Sequence, residues 1–188
     1  RQRSRKNRKR YEKKRYSKTG VKKMPEIYVA DLAAYNDGKM HGAWIDAAQD
    51  VEDIEEEIKK MLKESPMENA EEWEIHDSEG FGNVDIQRMS LDEVTRLAKG
   101  IKEYGEAFTT FYEYTGDIDT AEKEFQDAYE GEYDSEEDFA YEFMNDVYEI
   151  PEFIAPYVDY EKLARDLMIS DFWSESTEKG RVYIFRRY

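Results

Sequence analysis

Asp138, Glu142, Asp146 and Glu149 recur at helical spacing, one residue ahead of an apolar stripe of Phe139, Phe143, Val147 and Ile150. A helix with this pattern sets a line of carboxylates beside its buried face, with about 6 Å of rise between most neighbours. Such a line presents spaced negative charge to cations. Acid–base catalysis asks for more: one carboxyl whose surroundings separate it from its neighbours. Pairs of acids are so frequent in this chain that spacing alone selects none.

The run from Lys102 to Asp159 holds 19 acids against two bases, Lys102 and Lys123. On an ordinary exposed helix, acids alternate with Lys or Arg and gain support from i,i+4 pairs. Here the partners are missing. The acids expected to form the interaction surface are Glu52, Asp53, Glu55, Glu56 and Glu57 in one segment. A second, longer segment supplies Glu103, Glu106, Glu113, Asp117, Asp119, Glu122, Glu124, Asp127, Glu130, Glu132, Asp134, Glu136, Glu137, Asp138, Glu142, Asp146, Glu149 and Glu152.

Other constellations carry less. His41 with His76-Asp77 falls short of a metal-dependent hydrolase, which needs more ligands at fixed places. Asp117-Ile118-Asp119 begins like a calcium loop, but Ala121, Glu122 and Ala128 stand where a ligand, a glycine and a glutamate belong. Neither a glycine-rich phosphate loop nor a nucleophile elbow is present. The expectation is a binding protein with no catalytic, cofactor or metal residues.

The elements that must position these acids follow from charge and periodicity. The formal net charge is −17 over 188 residues. Residues 1–24 carry 13 Lys and Arg against Glu12, a net of +12, and the remaining 164 residues a net of −29. The arm has almost no aliphatic residues and reads as disordered. The body differs from an acidic disordered tail, because 27 of the 188 residues are Phe, Tyr or Trp, enough to bury a core. Cysteine is absent, which fits a reducing cytoplasm. Neither an apolar membrane span nor a signal-peptide core is visible.

Ile27–Ala30 and Met40–Ile45 read as a hairpin around Tyr35-Asn36-Asp37-Gly38. A helix is expected from about Asp50 to Lys63, with Val51, Ile54, Ile58, Met61 and Leu62 buried, ending at Ser65-Pro66. Trp73 and Ile75 mark a third strand. Ser90 to Glu93 is a capping box, and its apolar pattern continues through Tyr104 and Phe108 to Gly116. A short helix from about Asp119 to Tyr129 should bury Ala121, Phe125 and Ala128 and stop at Gly131. Ser135 and Asp159 can cap two further helices, the first running to Glu149. Strands near Phe172-Trp173 and from Arg181 to Phe185 close the chain. The class is α+β, with antiparallel sheet pieces at both ends and a helical middle. The expected division is a basic arm over 1–24, an α+β subdomain over 25–88, a helical one over 89–131 and an α+β one over 132–188.

Duplex DNA carries one negative charge per about 1.7 Å of axis, so a net of −29 corresponds to roughly 50 Å of duplex. The residues leave three readings open: a solvated acidic face, an acidic module for a basic partner, or a mimic of DNA.

One family carries the same segments in the same order. Ile27-Tyr28-Val29-Ala30-Asp31-Leu32, Tyr35-Asn36-Asp37-Gly38, Gly42-Ala43-Trp44, Ile75-His76-Asp77, Asp159-Tyr160 and Ala164-Arg165-Asp166-Leu167 resemble the ArdA antirestriction proteins of mobile elements. The resemblance spans about 26–188 and leaves the arm outside. It implies an elongated chain of small subdomains, paired into a curved homodimer shaped like bent B-form DNA. It also implies binding to the specificity and methyltransferase subunits of type I restriction–modification enzymes in place of DNA, with no direct nucleic-acid binding by the acidic body and no membrane contact. Phe139, Phe143, Tyr148 and Phe153 are candidate dimer contacts as well as candidate core. The alternative is an acidic adaptor or chaperone for a basic partner outside restriction systems.

Overall fold

A computed structural model describes residues 24–148 and 150–187. The basic arm and Glu149 lie outside the described residues. Among those described, seven α-helices separate and flank two three-stranded antiparallel sheets, one towards each end. This is the α+β architecture the periodicity predicts. Two compact units contain 24–122 and 123–187. Among the described residues no helix is long and apolar enough to cross a membrane.

In the 24–122 unit, β1 (Glu26–Asp31) is the central strand, between β2 (Gly42–Asp46) and β3 (Trp73–Glu79). The expected β1–β2 pairing is present, but the connection differs from a tight turn. Asp31 caps a short helix, α1 (Leu32–Asn36), by accepting from the Ala33 and Ala34 amides at 2.9 and 3.2 Å. Met40, expected within the second strand, is 92% exposed and precedes it. Asp31 itself is fully buried and also accepts from the Ser65 hydroxyl. Burial pushes its carboxyl up; the hydrogen bonds from Ser65, Ala34 and Ala33 outweigh this and hold it below the usual carboxylate range.

The next helix, α2 (Val51–Lys63), buries Ile54, Ile58 and Met61 of the five residues its spacing predicts, while Val51 and Leu62 are half-buried at the edge of the stripe. Glu52 and Asp53 fall in its first turn and Lys60 and Lys63 in its last, matching the helix dipole. Ser90 and Glu93 form the expected capping box of α3 (Leu91–Tyr104). The apolar pattern that continues to Gly116 belongs to two helices, because the chain breaks at Gly105 (φ 77°, ψ −158°) and restarts as α4 (Glu106–Thr115). That backbone conformation favours glycine. Phe108 on α4 is buried, and its ring lies so close to Gly100 on α3 that a Cβ there would clash.

α5 (Ile118–Ala128) buries Ala121, Phe125 and Ala128, as expected. Gly131 does not stop this helix. The chain passes directly into β4 (Tyr129–Tyr133), a strand that the helical reading missed. In the 123–187 unit, β6 (Val182–Arg186) lies between β4 and β5 (Phe172–Ser176). Its two faces are both buried. Ile184 joins Phe139 and Phe172 in one cluster, while Phe185 meets Phe125, Tyr129 and Trp173 on the other side. α6 (Glu136–Val147) and α7 (Tyr160–Ser170) pack on each other, and α6 supplies Phe139 to the first cluster. Asp159 caps α7 as expected, accepting from the Lys162 amide at 2.9 Å.

Candidate acidic interaction surface

α2 presents the simplest acidic face. Ile54 and Ile58 face inward, which leaves Glu52, Asp53, Glu55, Glu56 and Glu57 exposed. Glu55 pairs with Lys59 at 3.4 Å, and Glu57 accepts from the Gln49 amide at 2.7 Å. Glu52, Asp53 and Glu56 make no ion pair among the described residues. They lie one, three and four positions apart, so their side chains share one side of the helix.

The acids from α3 to α5 divide into two groups. Glu113 and Asp127 are exposed, and Glu124 is half-buried. Glu103 and Glu106 are also exposed, each with a contact inside the protein. Asp117 accepts from the Thr120 amide and hydroxyl at 2.8 and 2.6 Å, and these bonds hold its carboxyl below the usual range. Asp119 and Glu122 converge on Arg96, which also lies 3.7 Å from Asp92. Hydrogen bonds that Arg96 donates to Glu122 and Asp119 stabilise the charged guanidinium and push it above its ordinary value.

The 123–187 unit spends many of its acids internally. Glu130 pairs with Arg186 at 2.8 Å, with its own side chain only 10% exposed. Arg181 lies 3.5 Å from Glu132 and 2.9 Å from Asp134. Glu136 accepts from the Ser174 hydroxyl, and Ser135 donates to Asp138 at 2.7 Å in a helix cap. Glu137 and Glu152 are exposed.

The line on α6 is shorter than its spacing predicts. Asp138 and Asp146 are exposed, Glu142 is half-buried, and the helix ends at Val147 with Tyr148 as its cap. Glu142 and Asp146 both have contacts within the protein. The adjoining apolar stripe also leaves the core: Phe139 is buried, Phe143 half-buried and Val147 53% exposed. Of the candidate dimer contacts, Phe139 is therefore core, while Tyr148 and Phe153 are exposed.

The residues weighed for metal chemistry have structural partners. His41 Nε2 lies 2.8 Å from the Met61 carbonyl, and His76 meets the Tyr35 ring edge-on at 4.7 Å. Asp117 and Asp119, the start of the calcium-like sequence, serve Thr120 and Arg96. Sequence reasoning missed the three arginines that neutralise the acids. Arg96 sits within a helical pattern that says nothing of distant carboxylates. Arg181 and Arg186 are about fifty residues from their partners and meet them only because β6 pairs with β4.

Fold and surface together define a class: a small α+β protein whose acids outnumber the cations folded among them. A family model described as "Antirestriction protein (ArdA)" matches residues 27–182. The chain belongs to that antirestriction family. No curated protein matches the chain.

Proposed function

We propose that this protein mimics B-form DNA and inhibits type I restriction–modification enzymes by occupying their DNA-binding site. Family membership supports the antirestriction role. The observation that carries the mimicry is the exposed face of α2, where Glu52, Asp53 and Glu56 stand without cationic partners among the described residues. A DNA-binding enzyme places Lys and Arg against phosphates. Carboxylates of similar charge density meet the same cations, and opposite fields speed the encounter. Specificity and methyltransferase subunits are the partners this reading assigns.

The active form is a homodimer in this reading, since type I sites are bipartite and two copies can serve both halves. The exposed Tyr148 and Phe153 are its contact residues in this reading. Light scattering at micromolar concentration then gives twice the chain mass, and a strict monomer that inhibits fully would count against pairing. The functional test is titration of a purified type I enzyme with the protein. Inhibition should reach completion at a fixed stoichiometry and be relieved by excess duplex. Turnover of any nucleic acid or nucleotide by the protein alone would reject the reading.

A further inference from the structure

One face of the β2–β1–β3 sheet holds the residues that the acidic helices do not explain. Side chains two apart on a strand share a face, so the register assembles three rows. Glu26 lies between Asp46 and Glu79, Tyr28 between Trp44 and Asp77, and Ala30 between Gly42 and Glu74. The opposite face carries Ile27, Val29, Ile45 and Ile75, all buried, and packs on α2.

Within the first face, Tyr28 and Trp44 pack at 5.5 Å with their planes tilted by 51°. The Tyr28 ring leans over Gly42, where a Cβ would come within 2.7 Å of it. Glycine is therefore what lets the ring lie down along the sheet. Trp44 remains 44% exposed although it has a ring partner.

The frame around the aromatic pair is acidic. Like charges directly opposite one another destabilise a sheet, yet Asp46, Glu26 and Glu79 occupy one row. Lys102 approaches Asp46 at 3.9 Å, at the rim of the face. Asp77, beside Tyr28, is exposed and accepts from the Ser78 amide at 2.8 Å. An exposed indole on the edge strand, with Asp46 two residues along it and Glu26 on the neighbouring strand, suits a ligand that is flat, cationic and rich in N–H donors. Arginine has that chemistry: its guanidinium stacks on an aromatic face and donates in a fork to carboxylates. Lysine brings the charge without the plane.

We infer that the Tyr28–Trp44 face of the β2–β1–β3 sheet is a docking surface for arginine side chains on a cationic protein partner, stacked on Trp44 and hydrogen-bonded to the flanking carboxylates. The occupant is chosen by charge complementarity, and the inference rests on the reading that the partners of this protein are cationic. It adds a stacking contribution to the preference for arginine over lysine, beyond the forked pairing that carboxylates supply.

The test titrates the full chain with octa-arginine and octa-lysine peptides at matched ionic strength. The arginine peptide should bind about two- to five-fold more tightly, the range expected of an exposed cation–π contact. Trp44→Leu keeps apolar bulk beside Tyr28 but removes the π face. It should cut the preference by about two- to five-fold and change octa-lysine affinity less than two-fold. Trp44→Phe should retain part of the preference, which guards against loss of fold as the explanation. Equal affinity for the two peptides, or a preference undiminished in a folded Trp44→Leu variant, would overturn the inference. Because peptides stand in for the restriction enzyme, either result leaves the inhibition assay to judge the mimicry separately.

Discussion

Carboxylates are abundant in both compact units, and α2 in one and β4 in the other use them differently. On α2 in the 24–122 unit, Glu52, Asp53 and Glu56 point to solvent with no ion pair among the described residues. Around β4 in the 123–187 unit, Glu130, Glu132 and Asp134 are held by Arg186 and Arg181. The position of the acid in the fold makes the difference. A helix packed by one stripe leaves its other sides open, whereas a strand at the edge of a three-stranded sheet sets its side chains against those of its neighbour. The lesson is that acidic composition overstates the surface available to a partner. Removing a held acid or its partner should cost stability; removing an open one should cost binding.

The largest effect is expected where a carboxylate is fully enclosed. Asp31→Ala strands the Ser65 hydroxyl and the Ala33 and Ala34 amides, and should lower unfolding free energy by about 3 kcal/mol in urea titrations. The pH dependence has a definite sign. Because the folded-state pKa of Asp31 is lowered, its stabilisation is present above the unfolded carboxylate value, near 3.9, and is lost as pH falls through the lower folded value. The wild type should therefore lose more stability on acidification from pH 5 than Asp31→Asn does. Parallel profiles would remove Asp31 from the account.

A smaller loss is expected on the held side of the comparison. Arg186 donates to Glu130 at 2.8 and 3.1 Å and lies 5.0 Å over the Phe172 ring. Arg186→Ala takes the guanidinium from a nearly buried carboxylate and should cost about 1–3 kcal/mol. Glu130→Gln in the same background should recover part of this, a coupling that a double-mutant cycle reads directly. Additive effects would mean that the pair contributes nothing to the unit.

On the open side, Glu52→Gln, Asp53→Asn and Glu56→Gln together should lower unfolding free energy by no more than about 1 kcal/mol, through the lost first-turn charges of α2. Each exposed ion pair is worth about 0–1 kcal/mol, so the triple variant should bind a type I enzyme about ten-fold more weakly. Unchanged affinity would place the contact on another face. Deleting residues 1–23 should have the smallest effect of all, leaving inhibition within about two-fold, since the arm adds cations and no carboxylate except Glu12.

Much of this was legible because single residues announce helix starts. Ser90 with Glu93, Ser135 and Asp159 all cap the helices they promised. The strands of the first sheet were legible from β-branched and aromatic runs. Gly105 was hidden because Tyr104 and Phe108 keep feeding one apolar pattern across the break. β4 was hidden because Gly131, which looked like a helix stop, sits inside a five-residue strand between Tyr129 and Tyr133. The acids themselves were plain in the sequence. Their partners were not, because ion pairs across a sheet depend on register, which no local spacing encodes.

The central claim is that the open carboxylates replace phosphates. Its most direct test follows a labelled duplex bound to a purified type I enzyme as the protein is added at two salt concentrations. The expected result is complete displacement of the duplex, no ternary complex, and weaker competition at the higher salt. A stable complex holding enzyme, duplex and protein together, or competition that ignores salt, would contradict it.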